Sequence, residues 1–91
     1  MKERRTQYEI FWEILVYAKT PRSFTAIINR CDLNSKTGQE YIEFLESRGY
    51  LSRSLESGKN LYVTTERAGE YITLFTRLYR QVFDEIPAFK L

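Results

Sequence analysis

The sequence predicts one α+β domain that is mainly α-helical, and three observations lead to this prediction. The length of 91 residues is that of a single small domain. Four segments repeat apolar residues at spacings of three and four, which is typical of amphipathic helices. Before the last of them, two β-prone runs flank residues 56–60, where serine, glycine and asparagine favour a turn. Residues 1–91 are therefore expected to form helices with a small β-hairpin.

The first helix is expected over about residues 6–19. Thr6 can accept a hydrogen bond as its N-cap. Pro21 ends the helix, because the residue before a proline avoids helical backbone angles. Its apolar side includes Tyr8, Phe11, Ile14, Leu15 and Ala18.

Two further helices follow after a short connection. Ser23 or Thr25 can cap the second helix, and Phe24 is expected in a short extended segment just before it. A turn at residues 32–35 leads to Asn34, the expected N-cap of a third helix that runs to about Arg48. The turns of this helix place Gly38, Tyr41, Ile42 and Leu45 on one side. Gly38 lets another backbone approach closely there.

The hairpin and a long helix complete the chain. Gly49 is expected to end the third helix in a left-handed conformation, and residues 50–55 to pair with residues 61–64. Thr65 is expected to cap the last helix, which covers residues 66–86 before Pro87 ends it. The helical spacing assigns five aromatic residues to the core: Tyr8, Phe11, Tyr41, Tyr71 and Phe75.

The last helix predicts a homodimer. About 20 residues of helix reach about 30 Å, so its second half is expected to project beyond the domain core formed by residues 6–65. Its apolar stripe would be left in water there, which is typical of an interface. A second copy of the same helix is the simplest cover, with Arg77 and Arg80 flanking the seam and pairing with Glu70 or Asp84 of that copy. The residues assigned to the seam are Leu78, Tyr79, Val82, Phe83 and Ile86.

Composition argues against several other functions. The chain has no histidine and one cysteine, so the commonest general base and metal ligand is missing and a cysteine metal cluster cannot form. No catalytic constellation, metal site or cofactor is predicted, although Asp32 with Glu66 or Glu70 remains open as a pair of acids. Cys31 is interpreted as a small buried residue, with an intermolecular disulfide as the alternative.

The same composition predicts a cytoplasmic location. A lone cysteine fits a reducing compartment. No apolar run approaches the roughly 20 residues of a membrane span. The charged N-terminus also lacks the apolar stretch of a signal peptide.

The order of three helices, a two-stranded wing and a further helix is that of a winged helix-turn-helix domain. Within residues 8–80, five segments carry short apolar motifs: 24–28, 33–34, 41–45, 49–51 and 61–65. On these segments the sequence resembles the small archaeal winged-helix DNA-binding proteins, which include chromatin-associated proteins and transcriptional regulators. The family usually has glycine where Ala68 stands, and here the glycine is Gly69. The resemblance implies that double-stranded DNA is the partner and that a long C-terminal helix joins two copies.

In helix-turn-helix proteins the first turns of the second helix of the motif meet the bases. That helix is the third one here. Its neighbours in the expected interface are the wing, where cations suit phosphate or minor-groove contact, a basic N-terminal arm with Lys2, and Arg22 with Ser23 at the second helix. The predicted DNA-contacting residues are Arg4, Arg5, Arg22, Ser35, Lys36, Thr37, Gln39, Glu40, Arg53, Lys59 and Asn60.

Two features favour an alternative. Glu40 and Glu43 lie on the outward side of the third helix, where carboxylates repel phosphates, and the net charge is only +2. A winged helix that binds another protein and no DNA therefore stays open.

Overall fold

Four α-helices and three short strands make up the fold in the computed structural model, which describes residues 5–84. The predicted α+β class and winged-helix order are confirmed. A short 3-10 turn, Glu66–Ala68, precedes the last helix. The elements are α1 (Gln7–Tyr17), β1 (Arg22–Ser23), α2 (Phe24–Arg30), α3 (Ser35–Ser47), β2 (Leu51–Glu56), β3 (Lys59–Thr64) and α4 (Gly69–Asp84).

Short polar side chains begin the first three helices, as predicted. Thr6 Oγ1 accepts from the backbone N–H of Glu9 at 3.0 Å, and Ser23 Oγ accepts from Ala26 at 3.1 Å. Asn34 Oδ1 accepts from the backbone N–H of Thr37 at 2.8 Å. Each cap satisfies an N–H group that has no partner within its own helix.

Thr65 stands at the N-cap of the 3-10 turn before α4, as predicted, but its side chain makes no cap hydrogen bond. Its hydroxyl instead donates to the carbonyl oxygen of Gly49 at 2.6 Å. Gly49 ends α3 with φ of +79°, so its carbonyl has left the helical ladder and needs a donor. The contact fastens the start of the last helix to the end of α3.

The sheet has three strands rather than the two predicted. β1 pairs with β3 in an antiparallel manner, with Arg22 opposite Tyr62, and the strand order is β1-β3-β2. Phe24 begins α2 and does not belong to the extended segment. The connection between β2 and β3 is also shorter than residues 56–60. Ser57 and Gly58 form a two-residue turn, both at positive φ, which suits the twist of a hairpin.

The core lies where α1, α2 and α3 meet the sheet. Ile14, Leu15, Ile27 and Leu45 are at most 1% exposed, and the core also buries the sulfur-bearing side chain of Cys31. The prediction for Tyr8 was wrong, because its side chain is 63% exposed at the edge of the helix. Of the other predicted core aromatics, one is buried (Phe11) and three are half-buried (Tyr41, Tyr71, Phe75).

Trp12 fixes α4 against α1. Its indole Nε1 donates to Thr76 Oγ1 at 2.9 Å, and its ring lies 5.3 Å from Phe75 and 5.1 Å from Tyr79 between centroids. Within residues 5–84, none of the helices has the length and apolar character that crossing a bilayer requires.

Candidate nucleic-acid interface

The first turns of α3 present polar side chains to solvent. The side chains of Ser35, Lys36, Gln39 and Glu40 are exposed, while Thr37 is half-buried. The opposite side of the helix is closed, because Gly38, Ile42 and Leu45 are buried there. No acidic residue lies in the first turn, so Lys36 adds to the positive end of the helix dipole. The structure therefore brings five of the predicted DNA-contacting residues together on one helical end.

The acidic residues of α3 follow further along the helix, and two of them are engaged. Gln39 Nε2 donates to Glu43 Oε2 at 3.0 Å, one helical turn away. Glu46 Oε2 lies 3.2 Å from Arg53 Nε in β2. Arg53 offsets the charge of Glu46, whereas the neutral amide of Gln39 leaves the charge of Glu43 in place. To read a base edge, Gln39 would have to leave Glu43.

The wing lies next to α3 and is held by that ion pair. Besides its contact with Glu46, the Arg53 guanidinium carbon lies 6.0 Å from the centre of the Tyr62 ring. A notch of about 120 Å³ separates the helix from the wing at this point. Lys59 and Asn60 are exposed at the start of β3, beside the Ser57-Gly58 turn. Arg53 is thus paired with Glu46 of α3, and Lys59, near the wing tip, is presented to solvent.

Arg22 is placed by the short β1 strand. Its Nε donates to the carbonyl oxygen of Tyr17 at 3.1 Å, and its guanidinium carbon lies 4.1 Å above the Tyr17 ring. These contacts hold the guanidinium against Tyr17 at the edge of the sheet, next to the start of α2. A guanidinium carries further N–H donors that can still meet a phosphate.

Arg5 is not part of this surface. Its side chain is 11% exposed, forms an ion pair with Glu13 and donates from Nη2 to the Cys31 carbonyl oxygen at 2.6 Å. The guanidinium therefore joins α1 to the end of α2, which is a structural role. Arg4 and Lys2, the other cations of the predicted arm, lie outside the described residues.

The predicted seam residues are divided between the core and the surface. Leu78 is 54% exposed and Val82 is half-buried, while Tyr79 stacks on Trp12 within the chain. The Phe83 side chain and Ile86 lie outside the described part of the chain. The sequence interpretation missed Leu74, which is 53% exposed one helical turn before Leu78. The spacing of four between these leucines is the signal that would have identified it.

A metal centre finds no support in the described residues. Residues 5–84 contain no group of three or more His, Cys, Asp or Glu side chains arranged to hold an ion. Asp32 has a φ of +59° in the turn before α3, where it serves the chain reversal.

Comparison with known proteins gives three results. Residues 4–82 match the winged helix-turn-helix family. No curated protein matches the sequence. Among solved structures, the fold is similar to Sso10a-2, a DNA-binding protein from Sulfolobus solfataricus, with a TM-score of 0.75 at 23% identity over 89% of this chain and 88% of that one.

Two further structures share the fold. The transcriptional regulator BldR from Sulfolobus solfataricus gives a TM-score of 0.78 at 18% identity, over 88% of this chain and 60% of that one. The homodimeric DNA-binding domain Mb0332 from Mycobacterium bovis, a possible ArsR-family regulator, gives 0.58 at 25% identity over 84% and 68%. The chain thus spans most of the length of Sso10a-2 but less than two thirds of BldR.

Proposed function

Because the chain belongs to the winged helix-turn-helix family, we propose that it binds double-stranded DNA as a homodimer and regulates transcription. The similar structures support this, since one is a DNA-binding protein, one a transcriptional regulator and one a homodimeric DNA-binding domain. A DNA partner also supports a cytoplasmic location and a binding role rather than a catalytic one.

The exposed N-terminal end of α3 is the observation that carries the proposal. B-DNA's major groove admits one α-helix, and the base edges there form a readable pattern of donors and acceptors. Lys36 would contact a phosphate or a guanine, Gln39 would pair with an adenine, and Glu40 would accept from a cytosine amine. Ser35 and Thr37 lie beside them at the positive end of the helix, where phosphates are favoured.

Cations on neighbouring elements would contact the DNA backbone. Lys59 and Asn60 are exposed on the wing, and Arg22 lies on β1, the edge strand of the same sheet. Phosphate contacts of this kind fix the position of a protein on the duplex and carry no sequence information. Arg53 would reach DNA only when its ion pair with Glu46 opens. Arg4, which lies outside the described residues, would belong to the basic N-terminal arm.

The second copy would bind along α4. Leu74 and Leu78 supply an exposed apolar ridge, and Val82 continues it one turn later. We assign residues 66–86 to dimerisation and residues 6–65 to the DNA-binding core. Two recognition helices in one dimer would then read two half-sites.

Duplex binding at a series of salt concentrations tests the proposal. If Arg22, Lys36 and Lys59 each neutralise one phosphate, a dimer neutralises about six, and the plot of log affinity against log salt has a slope of about −5. Lys36→Ala is expected to weaken binding about tenfold and to make the slope shallower by about two per dimer. Lys19→Ala, which removes an exposed cation outside the proposed interface, is the control and should leave both values unchanged.

Binding to protein alone is the second candidate, and the row of Glu40, Glu43 and Glu46 along α3 favours it. Absence of duplex binding at about 50 mM salt, where the electrostatic contribution is strong, would support that candidate and contradict ours.

A further inference from the structure

An aromatic cleft opens between α1, the end of α3 and the start of α4, away from the proposed DNA-contacting residues. Its volume is about 290 Å³. This is near the lower end of the range for small-molecule sites, which suits a ligand of one or two rings. Five of the residues that line it are aromatic: Tyr8, Phe11, Phe44, Tyr50 and Tyr71.

The rings are arranged as fixed walls. Phe11 and Phe44 are stacked with centroids 5.2 Å apart, and Tyr8 meets Phe11 edge-on at 6.4 Å. On the other side Tyr50 and Tyr71 are stacked at 6.0 Å, and Tyr71 Oη donates to the Tyr8 carbonyl oxygen at 2.5 Å. This hydrogen bond connects the two walls, so the cleft exists before any ligand binds. Flat walls of this kind favour a flat ligand.

One edge of the cleft carries a positive charge. Within residues 5–84, Arg48, the C-cap of α3, is the only charged residue that lines it. Its guanidinium carbon lies 5.9 Å from the centre of the Phe44 ring, and its side chain is exposed. Burial, followed by the neighbouring Tyr50 and Tyr8 hydroxyls, raises the pKa of Tyr71 to about 12, so this phenol stays neutral at ordinary pH. No carboxylate among the lining residues competes for the guanidinium.

We propose that this cleft binds a small planar aromatic carboxylate, with its ring between the aromatic walls and its carboxylate on Arg48. A guanidinium presents two parallel N–H donors that match the two oxygens of a carboxylate. A cationic ligand would meet Arg48 and be repelled. A neutral aromatic ligand would leave the guanidinium without a counter-charge. The proposal does not depend on the DNA-binding function, because the lining residues belong to a separate surface.

Titration of the full chain with 1-naphthoate, in the absence of DNA, tests the proposal. Calorimetry should give a Kd below about 1 mM, and NMR shift changes should centre on residues such as Tyr8, Phe44 and Tyr50. The neutral isostere 1-naphthamide should bind at least about tenfold more weakly, because it lacks the charge-assisted hydrogen bonds.

Three variants complete the experiment. Arg48→Gln should weaken naphthoate binding about tenfold and Phe44→Ala should weaken it severalfold, and both side chains are exposed enough to be replaced without unfolding the chain. Arg30→Gln, the loss of an equally exposed guanidinium on α2, should leave the Kd unchanged.

Four outcomes would overturn the proposal. These are no binding at about 10 mM naphthoate, equal binding of naphthoate and naphthamide, equal binding by the Arg48 and Arg30 variants, or shift changes centred on another surface. Naphthoate binding that weakens as the protein concentration rises would show that a second copy covers the cleft, and would also overturn it.

Discussion

At the scale of the residue, Gly38 determines how closely α2 and α3 approach. It is buried in the first half of α3, and a Cβ atom added there would overlap the Ile28 side-chain methyl Cγ2. Ile28 is β-branched, so its methyl cannot swing away freely. The absence of a side chain is thus the feature that lets the two helices of the motif pack, and this packing orients the exposed end of α3.

Gly38→Ala should therefore destabilise the protein although alanine favours helices. Helix propensity gains about 1 kcal/mol, whereas overpacking a core contact costs about 1–3 kcal/mol, so a net loss of about 1 kcal/mol is expected. Gly69→Ala is the matched control. A Cβ there meets nothing within 4 Å, and the change should raise the free energy of unfolding by up to about 1 kcal/mol. Urea unfolding of both variants checks this, and equal shifts of the same sign would contradict it.

Arg5→Gln should lower stability without altering DNA affinity. The change removes the ion pair with Glu13 and the bond to the Cys31 carbonyl, for which about 1–3 kcal/mol is expected. Guanidinium chloride unfolding measures this, with the exposed Arg30→Gln as a control that should change by less than about 0.5 kcal/mol. A fall in DNA affinity with unaltered stability would return Arg5 to the DNA-binding arm.

Single residues differ in how well the sequence reveals their contacts. The caps Thr6, Ser23 and Asn34 were predictable because each bonds a backbone N–H three residues away. Arg5 was misassigned because its partners lie 8 and 26 residues along the chain, a separation that no local pattern records. The hydrogen bond of the Thr65 side chain was not predicted for the same reason, since its acceptor Gly49 lies 16 residues earlier.

At the scale of the element, the wing and α3 behave as one surface. Arg53 in β2 and Glu46 near the end of α3 are joined across a gap that separates a helix from a strand. The ion pair holds Arg53 away from the DNA backbone, and it neutralises the carboxylate of Glu46. An exposed ion pair of this kind contributes at most about 1 kcal/mol to stability, so its larger effect is on the charge that DNA meets.

Glu46→Gln should therefore tighten duplex binding severalfold. Arg53 is released toward the backbone, and the salt dependence of log affinity should steepen by about one per protomer. Glu66→Gln, which removes an exposed carboxylate from the 3-10 turn before α4, controls for the change in net charge and should have a smaller effect. Binding isotherms at several salt concentrations measure both. Weaker binding by the Glu46 variant would instead mean that the ion pair holds the wing in its DNA-binding position.

Long elements with a regular apolar repeat were predicted better than short ones. α3 and α4 repeat apolar residues over several turns, so both helices and the exposed side of α3 were readable from the sequence. β1 has only two residues and therefore no alternation to detect, and it exists because β3 offers Tyr62 and Leu61 as partners. The hairpin boundaries were misjudged because Asn60 favours turns and Glu56 and Lys59 are depleted in strands, yet all three lie within paired strands.

At the scale of the whole molecule, an exposed apolar ridge remains on a small domain. Leu74 and Leu78 are each more than half exposed, one helical turn apart on α4. The other side of α4 is already used, because Trp12 holds Phe75, Thr76 and Tyr79 against α1. The sequence assigned Leu78 to this surface, missed Leu74 and added Tyr79, because one helical stripe serves two surfaces and spacing alone does not divide them.

Leu78→Asp should convert the proposed dimer into a monomer that remains folded. An exposed leucine contributes little to the fold of one chain, whereas a carboxylate buried between two helices has no partner and is strongly disfavoured. Thr73→Asp is the matched control. It places the same charge on an exposed part of α4 more than 100° around the helix from the ridge, and it should leave the dimer intact. Analytical ultracentrifugation gives the masses, and circular dichroism verifies the fold.

Loss of the dimer should also weaken binding to a duplex that carries two half-sites. In a dimer the second recognition helix binds at the high effective concentration set by the first, so a monomer should lose about a hundredfold or more in affinity for a two-site duplex. Affinity for a single half-site should change little, because α3 and the wing are unaltered. An unchanged mass for the Leu78 variant would exclude this ridge as the seam. A monomer that retains full affinity for the two-site duplex would show instead that each chain binds DNA alone.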